Sequence, residues 1–98
     1  MNRTVEQWVI HLYVAGRRLA LSRQAEANLR RLCDKYLHGA YRIQVIDLAE
    51  EPALAKEHEI VATPTIVRTK PVPFRKFIGT LANEEHARFA LGCQQSRS

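Results

Sequence analysis

Two apolar runs of period two bracket a stretch of helical period, and this order constrains the fold more than any other feature of the chain. In "WVIHLYVAG" the residues Trp8, Ile10, Leu12 and Val14 share one face of a strand, while Val9, His11 and Tyr13 share the other. Apolar side chains on both faces mark a central strand covered on each side. Ser22 suits a helix N-cap; Ala25, Leu29, Leu32, Cys33, Tyr36 and Leu37 then recur at helical spacing until Gly39 offers a C-cap. "AYRIQVIDL" places Tyr41, Ile43 and Val45 on one face of a second strand. A helical connection of this length makes the two strands parallel and the crossover right-handed.

Further along, Pro52 suits the first turn of a short helix, "PALAKEHEI". "TPTIV" reads as a strand from its β-branched content, and "FRKFIG" as another after a Pro-Val-Pro turn. Asn83 can cap a last helix that turns Ala87, Ala90 and Leu91 inward. The order is β-α-β-α-β-β-α, an α/β thioredoxin-like arrangement in which a mixed sheet has helices on both faces. The 98 residues form one expected domain, 1–98, with "QQSRS" at 94–98 frayed. No apolar run approaches the roughly 18 residues of a membrane span, and "MNRTVEQW" has no apolar signal core. The expectation is a cytoplasmic protein without a membrane partner.

A thioredoxin-like enzyme carries a Cys-x-x-Cys pair where the first strand meets the first helix, because the helix N-terminus stabilises the thiolate. Here that junction reads "AGRRLALS" and holds no cysteine. Cys33 lies on the apolar stripe of the first helix and reads as buried, whereas Cys93, near the end of the chain, reads as exposed. His11, His38, His58 and His86 have no mates at metal-ligand spacing, and neither a P-loop nor a nucleophile elbow occurs. The chain is therefore expected to be no enzyme and to hold no metal or cofactor.

Lys and Arg number 15 against 10 Asp and Glu, and the charges fall in blocks. Residues 17–31 hold five arginines and one acid, residues 47–59 five acids and one lysine, and residues 68–76 four bases and no acid. Such blocks suit solvated faces or surfaces complementary to a charged partner. A nucleic acid is not the expected partner, since several of the seven aromatic residues fall at core positions and leave no stacking platform.

Three of the four prolines, Pro64, Pro71 and Pro73, fall within ten residues. An X-Pro bond prefers trans by only about 0.5–1 kcal/mol, so the cluster lets one sequence carry two bond patterns at small cost. A rigid turn that protects an edge strand is the other reading of the same residues. Around the cluster, "LYVAG" (12–16), "VIDL" (45–48) with "EPALA" (51–55), "ATPT" (62–65), "PVPFRKFIG" (71–79) and "LANEE" (81–85) resemble the KaiB family of small clock proteins, in the same order and spacing.

The resemblance implies a protein without chemistry of its own that binds the N-terminal ATPase ring of a KaiC-like RecA-type hexamer and regulates its phosphorylation and ATPase cycle. It also implies a metamorphic chain, with a ground-state fold that self-assembles as a dimer or tetramer and a monomeric thioredoxin-like fold that binds the ATPase. Pro64, Pro71 and Pro73 would be the fold-switch residues, with cis bonds in the thioredoxin-like state. A KaiA-like protein or a competing histidine kinase would be further partners. Candidate partner-binding residues are Ala55, Lys56, His58 and Glu59 around the second helix, together with Arg68, Lys70, Arg75 and Lys76 around the proline segment. The alternative reading is a SasA-like sensory or adaptor domain, or a stress-response homologue outside a true oscillator.

Overall fold

The computed structural model describes residues 7–93, so the tail expected to fray at 94–98 lies outside the described residues. Strand β1 (Trp8–Val14) runs through the middle of a four-stranded sheet of order β2-β1-β3-β4, formed with β2 (Tyr41–Asp47), β3 (Thr65–Lys70) and β4 (Arg75–Ile78). β1 lies parallel to β2, with Leu12 opposite Val45, and antiparallel to β3, with Leu12 opposite Ile66. The expected parallel pair is present. β4 closes the other edge antiparallel to β3, and a register shift interrupts the β1–β3 pairing between Val9 and Ile10.

Helices α1 (Ala20–Leu37) and α3 (Glu84–Leu91) cover one face, and α2 (Ala53–Glu57) sits on the other. The observed order is the thioredoxin-like one. Beneath α1 and α3, Ile10, Leu12, Val14, Ala25, Leu29, Leu32, Cys33, Ile66, Leu81, Ala87, Leu91 and Cys93 form one buried cluster. On the α2 side the cluster is smaller, with Tyr13, Ile46 and Val67 under Leu48, Leu54 and Ile60.

The helix ends depart from the sequence reading in two places. α1 starts at Ala20, after an extended Leu19 that makes no side-chain cap, and Ser22 is buried within its first turn. The chain reverses earlier than a Ser cap requires because the Leu19 amide donates to the Gly16 carbonyl at 3.0 Å. Two left-handed residues, His38 at φ 50° and Gly39 at φ 84°, end the helix. α2 is a single turn instead of spanning "PALAKEHEI": Glu59 takes φ 57°, and the Ile60 amide folds back to the Ala55 carbonyl at 2.7 Å.

α3 is capped as expected, with the Asn83 side chain accepting from the His86 amide at 3.0 Å. Ala87 and Leu91 are buried and Ala90 only half-buried. Cys93 is fully buried, contrary to the exposure expected from its place near the chain end. The reason is that Gly92, at φ 78°, turns the chain back after α3, and the Cys93 amide donates to the Arg88 carbonyl at 2.9 Å.

Glu84 joins the two large helices, accepting from Lys35 Nζ and from the Tyr36 hydroxyl, each at 2.8 Å. The Lys35 hydrogen bond, then that of Tyr36, holds the Glu84 carboxyl below its ordinary pKa of 4.5. A depressed carboxylate stabilises the fold above its unfolded pKa and ceases to do so as the pH falls through its folded value. The stability difference between wild type and Glu84→Gln is expected to be present above pH 4.5 and to close on acidification below it, read by thermal melts across pH. Leu12 is fully buried between β2 and β3, so Leu12→Ala is expected to cost about 2–5 kcal/mol in urea unfolding.

Candidate partner-binding surface

α2 is anchored by its apolar side and presents its polar side outward. Leu54 and Ile60 pack on the sheet, Ala55 is half-buried, and Lys56, Glu57, His58 and Glu59 are exposed. At the end of the turn, His58 Nδ1 and the Tyr13 hydroxyl are joined by a hydrogen bond of 2.8 Å, with the rings edge-on at 5.7 Å. Tyr13 in turn meets His11 edge-on at 6.2 Å. Burial, followed by the charges of His58 and Arg42, keeps the His11 imidazole below its ordinary pKa, and burial raises that of the Tyr13 phenol. This row fastens α2 to the central strand, and periodicity alone gave no sign of it.

The basic candidates do not form one patch with α2. Lys76 lies opposite Val67 and shares the α2 face of the sheet, whereas Arg75 lies opposite Arg68 and faces the α1/α3 side. Lys70, Arg75 and Lys76 are exposed, but Arg68 is 4% exposed and leaves the candidate surface altogether. Its guanidinium donates to the Leu91 and Pro73 carbonyls, which makes burial of its charge tolerable. The bonds Thr63-Pro64, Lys70-Pro71 and Val72-Pro73 are all cis, the pattern implied for the thioredoxin-like state. Pro64 is buried, Pro71 half-buried and Pro73 exposed, and Val72 and Phe74 beside them expose large apolar surface.

At the β1–α1 junction, where a thioredoxin-like enzyme would hold its thiols, the Arg17 amide donates to Asp47 Oδ2 at 3.0 Å and Arg17 pairs with Glu26 at 3.4 Å. Both cysteines lie elsewhere in the core. Burial pushes the Cys33 thiol up to about 12 and the Cys93 thiol up to about 11, the opposite of the shift a redox nucleophile needs. Among the described residues, no three His, Cys, Asp or Glu side chains are grouped to hold a metal ion. Nor is any described helix long and apolar enough to cross a membrane.

The KaiB domain family model matches residues 11–93. The chain belongs to the KaiB family. Among curated KaiB relatives, it is 36% identical over 91 residues to the circadian clock protein KaiB3 of Synechocystis sp., covering 93% of this chain and 84% of that protein. It is 37% identical over 91 residues to the circadian clock oscillator protein KaiB of Nostoc sp., covering 93% and 83%. With the KaiB of Thermosynechococcus vestitus it shares 39% over 84 residues, covering 86% and 77%.

Among solved structures, the N-terminal domain of Synechococcus elongatus SasA superposes with a TM-score of 0.71 at 18% identity, over 100% of this chain and 95% of that one. Mitochondrial thioredoxin 3 of Saccharomyces cerevisiae gives 0.66 at 23% identity, over 88% and 77%. Both establish the thioredoxin-like fold of this KaiB chain and nothing finer. For the aromatic row beneath α2, a double-mutant cycle of Tyr13→Phe and His58→Ala is expected to show a coupling of about 0.5 kcal/mol, the low end for a hydrogen bond with one exposed partner.

Proposed function

We propose that this KaiB chain is a non-enzymatic cytoplasmic binding module of a clock or timing system. It docks through α2 and the adjoining sheet face onto the N-terminal ATPase ring of a KaiC-like hexamer and thereby regulates that enzyme's cycle. The observation that carries the reading is family membership across residues 11–93, joined to a helix α2 that has no fully buried residue. Its anchors, the His58 ring among them, point toward the sheet while Lys56 and Glu59 are exposed, so a partner can be met there without disturbing the core. Lys76 extends the same face, and Arg75 and Lys70 lie outside it or at its margin.

Exchange between this fold and a second, self-associating packing belongs to the same reading, with Pro64, Pro71 and Pro73 in the segment that changes. A KaiA-like protein or a histidine kinase with a SasA-like domain would compete for the resulting complex. The sequence relatives at 36–39% identity favour KaiB over a sensory domain of a kinase.

The test is size exclusion of the chain mixed with its host's KaiC-like ATPase in ATP, followed from minutes to a day. A hexamer-sized complex that grows over hours supports docking preceded by a change of fold, and one complete within minutes supports docking by the thioredoxin-like form itself. Absence of a complex under every nucleotide condition overturns the reading. Within the complex, Lys56→Glu and Lys76→Glu are expected to weaken binding about tenfold or more by reversing charge on the α2 face. Arg75→Glu, on the opposite side of the sheet, is expected to weaken it less, and circular dichroism should be unchanged in all three.

A further inference from the structure

Arg68 is buried in the β3 strand of a basic chain, and among the described residues its side chain meets the end of α3, the proline turn and the start of β1. One guanidinium nitrogen donates to the carbonyl of Leu91, the last residue of α3, at 2.8 Å, and another to the carbonyl of Pro73 in the turn before β4, at 2.6 Å. The guanidinium also lies over the Trp8 ring, 4.9 Å from its centroid. A helix leaves its last carbonyls without intrahelical donors and carries partial negative charge there, so a guanidinium at this end satisfies both.

Gly92 completes the arrangement for two independent reasons. Its φ of 78° belongs to the left-handed region, and a Cβ at that position would lie 2.7 Å from the Arg68 guanidinium nitrogen that donates to Leu91. Immediately beyond it, Cys93 is fully buried in the core shared by α1 and the sheet. The remainder of α3 is lightly held. Only Ala87 and Leu91 are buried in it, Phe89 is 73% exposed, and its neighbour β4 is a four-residue edge strand. The Glu84 contacts to Lys35 and Tyr36 fasten the opposite end of the helix. Segments with few buried apolar contacts are the ones that open before the rest of a domain.

We propose that Arg68 is a latch: it holds the C-terminal end of α3 and the proline turn onto the sheet as one locally releasable unit, and its release uncovers the Cys93 thiol while α1 stays seated on the sheet. This device needs no partner protein; the turn it holds belongs to the segment assigned above to the fold exchange, but its test is read on the free chain and does not depend on docking. Cys93 and Cys33 give it a built-in readout: both thiols lie in one buried cluster, but Cys93 follows the latched turn in the chain whereas Cys33 is carried by α1.

The experiment is native-state labelling of the full chain with N-ethylmaleimide, the rate at each cysteine being read separately by peptide mass spectrometry. In the wild type both thiols are expected to label slowly. Arg68→Met keeps the length of the side chain and removes its donors; it is expected to speed Cys93 labelling about tenfold or more while changing Cys33 by less than about twofold. Gly92→Ala, which crowds the same guanidinium, is expected to act in the same direction. The double variant should fall short of the product of the two single effects, because both break one contact set. Equal acceleration at both cysteines in Arg68→Met would make Arg68 a general stabiliser and overturn the latch, and so would unchanged labelling of Cys93. If Arg68→Met does not fold, the same two criteria apply to Gly92→Ala alone.

Discussion

Everything in this fold rests on β1 being satisfied on four sides at once. Its backbone pairs in parallel with β2 and antiparallel with β3, so its amides and carbonyls are consumed by the sheet. Its side chains feed both cores: Ile10, Leu12 and Val14 go under α1 and α3, and Tyr13 goes under α2. A strand of seven residues thereby fixes the crossover helix, the order of the sheet and the place of each covering layer. β4 reaches it only through β3, whereas α3 shares its buried cluster directly.

The two faces of the sheet are unequally covered, and the proposed docking rests on this inequality. An 18-residue and an 8-residue helix cover one face, while a five-residue turn covers part of the other. On the thinly covered face, Arg42, Gln44 and Lys76 are exposed, and Val9 and His11 are half-buried. A surface that is polar at its edge and apolar beneath suits a non-obligate interface better than the sealed α1/α3 side does. Fastening α2 by Tyr13 and His58 then matters beyond stability, because a one-turn helix has too few internal hydrogen bonds to hold its own geometry.

Element order was legible in the sequence because periodicity reports burial: the apolar residues of β1 divide between its two covered faces, and those of α1 recur on one stripe. The family resemblance was legible because its fragments lie in register with the family match at residues 11–93. What escaped were features set by tertiary partners. Ser22 looked like a cap, yet the Gly16–Leu19 turn starts the helix three residues earlier. Arg68 looked like one more surface base in the 68–76 run, since nothing local announces that a carbonyl from Leu91 and the ring of Trp8 will surround it. Cys93 looked exposed because nearness to a chain end is a weak guide when a left-handed glycine turns the chain inward.

The thioredoxin-like frame ordinarily places reactivity at the β1–α1 junction, where a helix N-terminus can stabilise an anion. In this chain the same place is occupied by Gly16, Arg17, Arg18 and Leu19, with the Arg17 amide already bound to Asp47. Both thiols lie in apolar surroundings that push their pKa values to about 12 and about 11, so neither supplies a thiolate near neutral pH from the closed fold. The fold keeps the scaffold and drops the nucleophile. What the described residues offer around α2 and the sheet edges is shape and charge, the features on which the proposed docking rests.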